Sequence, residues 1–521
     1  METTETKSAI LCTTWVKKGV AAAVPDKVQL SPEELKNIIQ ETKTALDDLE
    51  DESDSDNEPS SSKGKDTKVK KEKSKGNKSE NVDDDMEEEN VTIKSAADQD
   101  EFNFENYDDE SGNIHCYINN IAEFEEDPLI TIKDDDDDSE KEDDIIKPND
   151  NLVLMGHIEE DASILEIFVY NEEEGSFYCH HDILLPSQPL CLEWLNYDPS
   201  DAKPGNLCAI GDFTPVIKVW DLDLVDCLEP AFKLGRKENK KKKIKRIGHK
   251  KSVLDLSWNK NYTHVLASGS VDKTVLLWDL DNGTPVTKLS PFNDAVQTIK
   301  WHPQNAHHLL TGSIDKFVRL LDFRTEDNFE TLSWESPGEV ERVLWNHFDP
   351  NICFATTDNG FIQCIDVRKK APLWQQNIHE GAITGLSMST SCPGLMVTTS
   401  DDDILKVWDL IDLKEPQLVW EKKTNLGKIL CLDSSPDNPF VFSVGGDNKA
   451  HNYKVFDFTQ ITLVMERFQD RELIKMKSDE TKMTTDQDEE MMEVAEEIGQ
   501  INLELSAKKM RKKKKKTKSE N

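Results

Sequence analysis

GHKKSVLDLSWNKNYTHVLASGSVDKTVLLWDL, residues 248–280, carries the reading on which the fold turns. From Val253 to Trp258 apolar and polar residues alternate, the pattern of a half-buried strand. HVLASGS (264–270) reads as a second strand ending in small residues, TVLLWDL (274–280) as a third, and TPVTKLS (284–290) as a weaker fourth. Asp272-Lys273 and Asp281-Asn282-Gly283 punctuate them as turns. Short period-two runs with turn residues at close spacing predict antiparallel β-structure.

The unit recurs in both directions. LCLEW ends at Trp194, LDLSW at Trp258, QTIKW at Trp301 and ERVLW at Trp345, and the register continues as TGLSM to Met388 and LCLDS to Ser434. The intervals are 64, 43, 44, 43 and 46, the long one containing a lysine-rich insertion. A second register marks the third strand at Tyr170, Trp220, Trp278, Leu321, Ile365 and Trp408, with a seventh member at Tyr453 or Phe456. A looser series, Trp334, Trp374 and Trp420, trails it. A four-stranded sheet of this size cannot bury both faces alone, but radial stacking of several does so and protects the edges. Seven markers predict an all-β fold, a seven-bladed β-propeller. The unit ending at Tyr170 lacks a first strand nearby, and DPLITIKDD (127–135) is the candidate. The last blade is expected to borrow a strand from the N-terminal region to close the ring.

Residues 248–280 resemble the WD40 repeat family. The resemblance places His249, Ser268, Asp272 and Trp278 in a hydrogen-bonded structural tetrad. The chemistry fits, because a buried indole N–H needs an acceptor and a His–Asp pair under a turn can orient one. Asp272, Asp315 and Asp402 each stand six residues before a third-strand marker. Elsewhere the pattern erodes: Asn293-Asp294 replaces Gly-His, Leu321 and Ile365 replace Trp, and the unit at Gly211-Asp212 has a two-residue insertion. Those blades are expected to rest on apolar packing. Segments outside the repeat extend the likeness. TTWVKKGVAAAVPDKVQLSPEE (13–34), FYCHHDILLPSQPLCLEWLNYDP (177–199) and ERVLWNHFDP (341–350) resemble the periodic tryptophan protein 1 family of WD40-repeat proteins. That resemblance implies a nuclear, largely nucleolar scaffold for ribosomal RNA production and large-subunit assembly, with pre-ribosomal assembly factors as partners. In animals it also implies a link to chromatin, including histones and ribosomal DNA.

Charge organises the rest. The 521 residues carry 63 Lys+Arg against 103 Asp+Glu, a formal net charge of −40, and are 36% hydrophobic and 32% charged. Ordinary domains run at about 45–50% apolar and about 25% charged, so normal globular sequence is here joined to highly charged segments. The expected division is an N-terminal segment 1–50, an acidic and Ser/Lys-rich disordered region 51–126, a propeller 127–470 with a lysine-rich insertion at 236–246, and a charged tail 471–521. Ser31-Pro32-Glu33-Glu34 opens a predicted amphipathic helix bearing Leu35, Ile38, Ile39, Leu46 and Leu49. Two basic clusters are candidate nuclear-targeting or RNA contacts. One is Lys240, Lys241, Lys242 and Lys243; the other is Arg511, Lys512, Lys513, Lys514, Lys515 and Lys516, within 508–518. Ser53, Ser55 and Ser139 each have an acidic residue at +3 and are candidate phosphorylation sites.

Several function classes find no support. No apolar run approaches the roughly 20 residues of a membrane span. The opening lacks a secretory pattern. The ten cysteines form no C-x-x-C pair. No phosphate-binding loop, dinucleotide fingerprint or nucleophile elbow occurs. His180-His181 and His307-His308 would point to opposite faces of a strand and cannot share one ion. No metal, cofactor, small-molecule substrate or catalytic site is expected. Arg324 and Arg368 follow an Asp by two residues, a weak echo of ubiquitin-ligase adaptor motifs. Two readings lead: a ribosome-assembly scaffold with protein and RNA contacts, and a chromatin-associated transcription regulator binding histones at ribosomal DNA.

Overall fold

The computed structural model describes residues 8–28, 36, 145–200, 203–239, 243–324 and 330–474. The chain forms two units, residues 1–28 with 142–521 and residues 29–141, and the fold below belongs to the first. The predicted helix after Ser31 (Lys36 apart), the region 51–126, Ser53, Ser55, Ser139, Lys240, Lys241, Lys242 and the tail cluster Arg511 to Lys516 lie outside the described residues.

Among the described residues twenty-seven strands form the propeller blades, and two further short strands pair with each other beside them. Blade one is β1 (Ser8–Val16), β3 (Asn151–Glu159), β4 (Ala162–Asn171) and β5 (Ser176–Leu185), with the short β2 (Asp26–Lys27) between the first two in sequence. Blade two is β6 (Pro189–Leu195), β7 (Leu207–Asp212), β8 (Ile217–Asp221) and β10 (Phe232–Leu234); β9 (Leu224–Val225) leaves that sheet to pair with β2. Blade three is β11 (Val253–Trp258), β12 (Val265–Ser270), β13 (Val275–Asp279) and β14 (Thr284–Leu289). Blade four is β15 (Val296–Trp301), β16 (His308–Ser313), β17 (Phe317–Asp322) and β18 (Glu330–Glu335). Blade five is β19 (Val340–Trp345), β20 (Ile352–Thr357), β21 (Phe361–Asp366) and β22 (Trp374–Asn377). Blade six is β23 (Gly385–Met388), β24 (Leu395–Thr399), β25 (Ile404–Asp409) and β26 (Gln417–Lys423). Among the described residues blade seven has three strands, β27 (Ile429–Ser434), β28 (Val441–Gly446) and β29 (Tyr453–Asp457), followed by a 3-10 turn (Phe458–Gln460) and helix α1 (Thr462–Phe468).

The inner strands touch in the order β1, β6, β11, β15, β19, β23, β27 and back to β1, so the ring is closed. The inner strand of blade one is therefore β1. This corrects the expectation that residues 127–135 supply it and that the propeller begins at 127. The N-terminal region does close the ring, but inside blade one rather than as an added strand of blade seven. ILCTTW (10–15) fits because it alternates like the other inner strands and ends in the same indole. Trp15 is 3% exposed, and its Nε1 donates to Ser443 Oγ of blade seven at 2.9 Å.

Period-two alternation places successive residues of each blade in different cores. Leu266 packs with Trp278 between blades two and three, while its neighbour Ala267 packs with Val296 and Ile299 between blades three and four. Among the described residues seven such cores form, one per blade junction. The sequence period also appears as hydrogen bonds between inner strands. Asp255 Oδ2 accepts from Ile299 N (2.7 Å), Ser257 Oγ from Trp301 N (3.0 Å) and Thr298 Oγ1 from Val343 N (3.4 Å). Arg342 Nε donates to Thr384 O (2.9 Å) and Thr384 Oγ1 to Ile429 O (2.6 Å). Each pair lies 42 to 45 residues apart, one repeat. The trailing series does similar work outside: Trp334 Nε1 donates to Lys369 O and Trp374 Nε1 to Leu413 O, each in the next blade.

Candidate functional site

The structure brings His249, Ser268, Asp272 and Trp278 together under the turn between β12 and β13. Trp278 Nε1 donates to Ser268 Oγ at 2.8 Å, Ser268 Oγ lies 2.7 Å from His249 Nε2, and His249 Nδ1 lies 3.2 Å from Asp272 Oδ2. A carboxylate only accepts, so in the neutral ring Nδ1 carries the proton and Nε2 accepts from the serine. Burial works to raise the Asp272 carboxyl, but hydrogen bonds from His249 and Thr274 outweigh it and hold it well below the carboxylate range. Gly248 has φ +93, and a Cβ there would stand 2.7 Å from the Trp278 ring, so the Gly-His pair is sterically required.

Blade six holds a second tetrad that sequence reading missed. Trp408 Nε1 donates to Thr398 Oγ1 (2.9 Å), Thr398 Oγ1 lies 2.9 Å from His379 Nε2, and His379 Nδ1 lies 3.0 Å from Asp402 Oδ2. Burial holds the His379 imidazole below its usual range against the pull of Asp402. The eroded blades correct the expectation of purely apolar packing. In blade four Arg319 grips Asp315 with two nitrogens (2.9 and 2.8 Å), and its guanidinium lies 5.3 Å from the Phe292 ring centre and 5.1 Å from that of Phe317. In blade two Lys218 pairs with the buried Asp212. A cation from the third strand thus replaces histidine beneath the turn. Trp220 has no such acceptor: Ile210, ten residues before it, cannot accept, and Trp220 Nε1 is buried without a partner.

These groups lie beneath turns between packed blades, and the features that can meet a partner are the loop faces and the channel. Antiparallel blades put every inner-to-second connection on one face and every outer-to-inner connection on the other. Residues 17–150 are the inner-to-second connection of blade one. Both anchors of this connection are visible: Val28 N donates to Val225 O (3.0 Å), and Ile146 N donates to Ala23 O (2.9 Å). Val28 and Ile146, which flank the acidic stretch in sequence, are therefore both held on one face. Ile474 N donates to Ser391 O, so residue 474 lies on that same face. The lysine-rich insertion is an outer-to-inner connection and belongs to the opposite face. It is a hairpin, with bridges Arg236–Ile247 and Asn239–Ile244, and Lys243 stands at its tip with φ 55. Arg236, Lys237, Lys245 and Arg246 climb its two legs.

The channel is lined by charge. Lys300 Nζ is 4.0 Å from Glu193 Oε2, with side chains 39% and 18% exposed. Burial raises the Glu193 carboxyl and pushes Asp433 up to about 6. Burial also opposes the charge on Lys300, but Glu193, Asp255 and Asp433 outweigh it and raise the amine. Among the described residues no group of three or more His, Cys, Asp or Glu side chains could hold a metal ion. Arg324 and Arg368 fold back on Asp322 and Asp366 of their own turns.

The WD domain, G-beta repeat family model matches residues 241–279, 283–322 and 371–409, which take in the three inner strands of blades three, four and six, the last two matches beginning with the outer strand of the preceding blade. Closed ring, blade order and tetrads together define a seven-bladed WD40 β-propeller, a fold consistent with a non-catalytic scaffold. The chain is 41% identical to the Periodic tryptophan protein 1 homolog of Drosophila melanogaster, over 83% of this chain and 90% of that protein. It is 30% identical to Periodic tryptophan protein 1 of Saccharomyces cerevisiae, over 84% and 86%, and 37% identical to an uncharacterized WD repeat-containing protein of Schizosaccharomyces pombe, over 67% and 69%. It belongs to the periodic tryptophan protein 1 family.

Proposed function

We propose that the protein is a nucleolar, non-enzymatic scaffold in ribosome biogenesis. In this reading it supports ribosomal RNA production and large-subunit pre-rRNA processing by holding assembly factors and RNA together. Family membership over most of the chain supports the role, and the hairpin that presents the lysine-rich insertion on one face supports the mechanism. The lysine hairpin meets RNA phosphate, where each neutralised phosphate releases counterions and makes binding salt-dependent. The acidic stretch meets basic protein tails by charge complementarity. The basic tail at 508–518 is a second RNA or import-receptor contact, and Ser53, Ser55 and Ser139 add negative charge to the acidic stretch when phosphorylated.

A second reading, a chromatin-associated regulator binding histones at ribosomal DNA, draws on the same acidic stretch. Purification of the intact protein from nuclei, with and without ribonuclease, separates the two. Large-subunit assembly factors that dissociate with ribonuclease support the scaffold. Nucleosomal histones that stay bound after ribonuclease, with no assembly factors, support the chromatin reading instead.

A further inference from the structure

Among the described residues six blades have four strands, and blade seven has three. Its outer strand is β29. Gly446 N donates to Asn452 O and Phe458 N to Phe440 O, which fixes the parity of the ladder. Lys454 and Phe456 turn their backbone groups toward β28, while Tyr453, Val455 and Asp457 turn theirs outward. Among the described residues no strand pairs with that outward edge. The 3-10 turn and α1 leave it open, because Phe458 packs on Trp420 and α1 lies against β26, both in blade six.

The walls beside the edge leave apolar surface and a charge uncovered. The core between blades seven and one is the smallest, with six buried members against nine or more elsewhere. Phe177 on the outer strand of blade one stacks on Tyr453 (6.1 Å, 12°) and on Phe168 (4.8 Å), yet remains 40% exposed. Cys179, two residues on, is exposed as well. On the other side, Lys454 is exposed with its Nζ 5.0 Å from the Phe456 ring centre. An unpaired edge offers a row of main-chain donors and acceptors and takes an extended peptide by strand addition.

We propose that the outer edge of β29 takes an extended segment of a partner protein as the fourth strand of blade seven. Alternate aliphatic or aromatic side chains of that segment cover Phe177 and Cys179, and the acidic residues between them face Lys454.

The test uses the intact chain and a fluorescein-labelled nine-residue peptide alternating Val/Phe with Asp/Glu, beside a control of equal composition without alternation. The alternating peptide binds saturably and protects Cys179 from alkylation, read by mass-spectrometric mapping. Val455→Pro removes an outward N–H and spares the β28 ladder, and it weakens binding by about tenfold or more, as loss of about 1.4 kcal/mol requires. Lys454→Glu leaves the backbone untouched and weakens binding by about two- to fivefold, the range of an exposed ion pair. It keeps the test decisive should the proline variant misfold. Absence of binding, equal binding of the control peptide, or binding that neither variant changes overturns the proposal. Cys179 already protected in the unliganded chain, or self-association lost in Val455→Pro, overturns it in favour of a segment of this chain or a second copy.

Discussion

Ser268 and Thr398 occupy the same position in blades three and six, each bridging an indole N–H and an imidazole. Ser268→Ala leaves Trp278 Nε1 and His249 Nε2 buried without partners, at about 1–3 kcal/mol for each unsatisfied group. Denaturant unfolding of Ser268→Ala checks this, and Ser268→Thr, which keeps the hydroxyl as in blade six, is expected to retain most of the stability. Asp272 gives a pH signature. Its folded carboxyl is held low, so the pair contributes stability above the ordinary carboxylate value of about 4, and loses it as pH falls toward the depressed one. Asp272→Asn should therefore flatten the acid limb of stability against pH. Asp433 has the opposite sign. With its folded carboxyl raised to about 6, its cost is absent below about pH 4 and grows as pH rises through 6, so Asp433→Asn is expected to help at pH 7 and not at pH 4. At this scale the first tetrad was legible because all four residues follow the family pattern. The second was hidden because Ile378 replaces the glycine before the histidine. Its spacings would have shown it: 23, 19 and 10 residues separate its hydrogen-bonded pairs in both blades. The ion pairs of blades two and four were illegible, since an Asp before a turn does not reveal which side chain the third strand returns to it.

Among the elements, β1 carries most of the closure. Trp15→Ala removes a buried indole at the junction of the first and last blades and is expected to cost about 3–5 kcal/mol, read as a shift in the unfolding midpoint at unchanged m-value. The strand was readable in principle. LCTTW (11–15) nearly repeats LCLEW (190–194), and blades one, two and seven carry Cys12, Cys191 and Cys431 at the same bulged position of the inner strand. Distance concealed it. A connection running from 17 to 150 lies far beyond the usual few residues between strands, so proximity favoured the wrong candidate at 127–135. The six other inner strands were legible because short loops kept their tryptophans, or the residues replacing them, in step.

At the scale of the whole molecule, the net value of −40 conceals a basic hairpin that the ring presents on one face, with Arg236, Lys237, Lys245 and Arg246 on its legs. Composition could not reveal this, because the face on which a segment emerges depends on which strands it connects. If the hairpin meets RNA, replacing Lys243, Lys245 and Arg246 by Gln should weaken binding and reduce the slope of log affinity against log salt by about 0.7 per lost phosphate contact. An unchanged slope would remove the hairpin from the interface. The central claim is that the N-terminal strand is an integral inner strand of a closed seven-bladed ring, which makes the scaffold rigid. Hydrogen exchange on the intact protein tests it most directly. The amides of Ser8–Val16 should exchange as slowly as those of Val253–Trp258; fast exchange from 8–16 beside a protected 253–258 would contradict it.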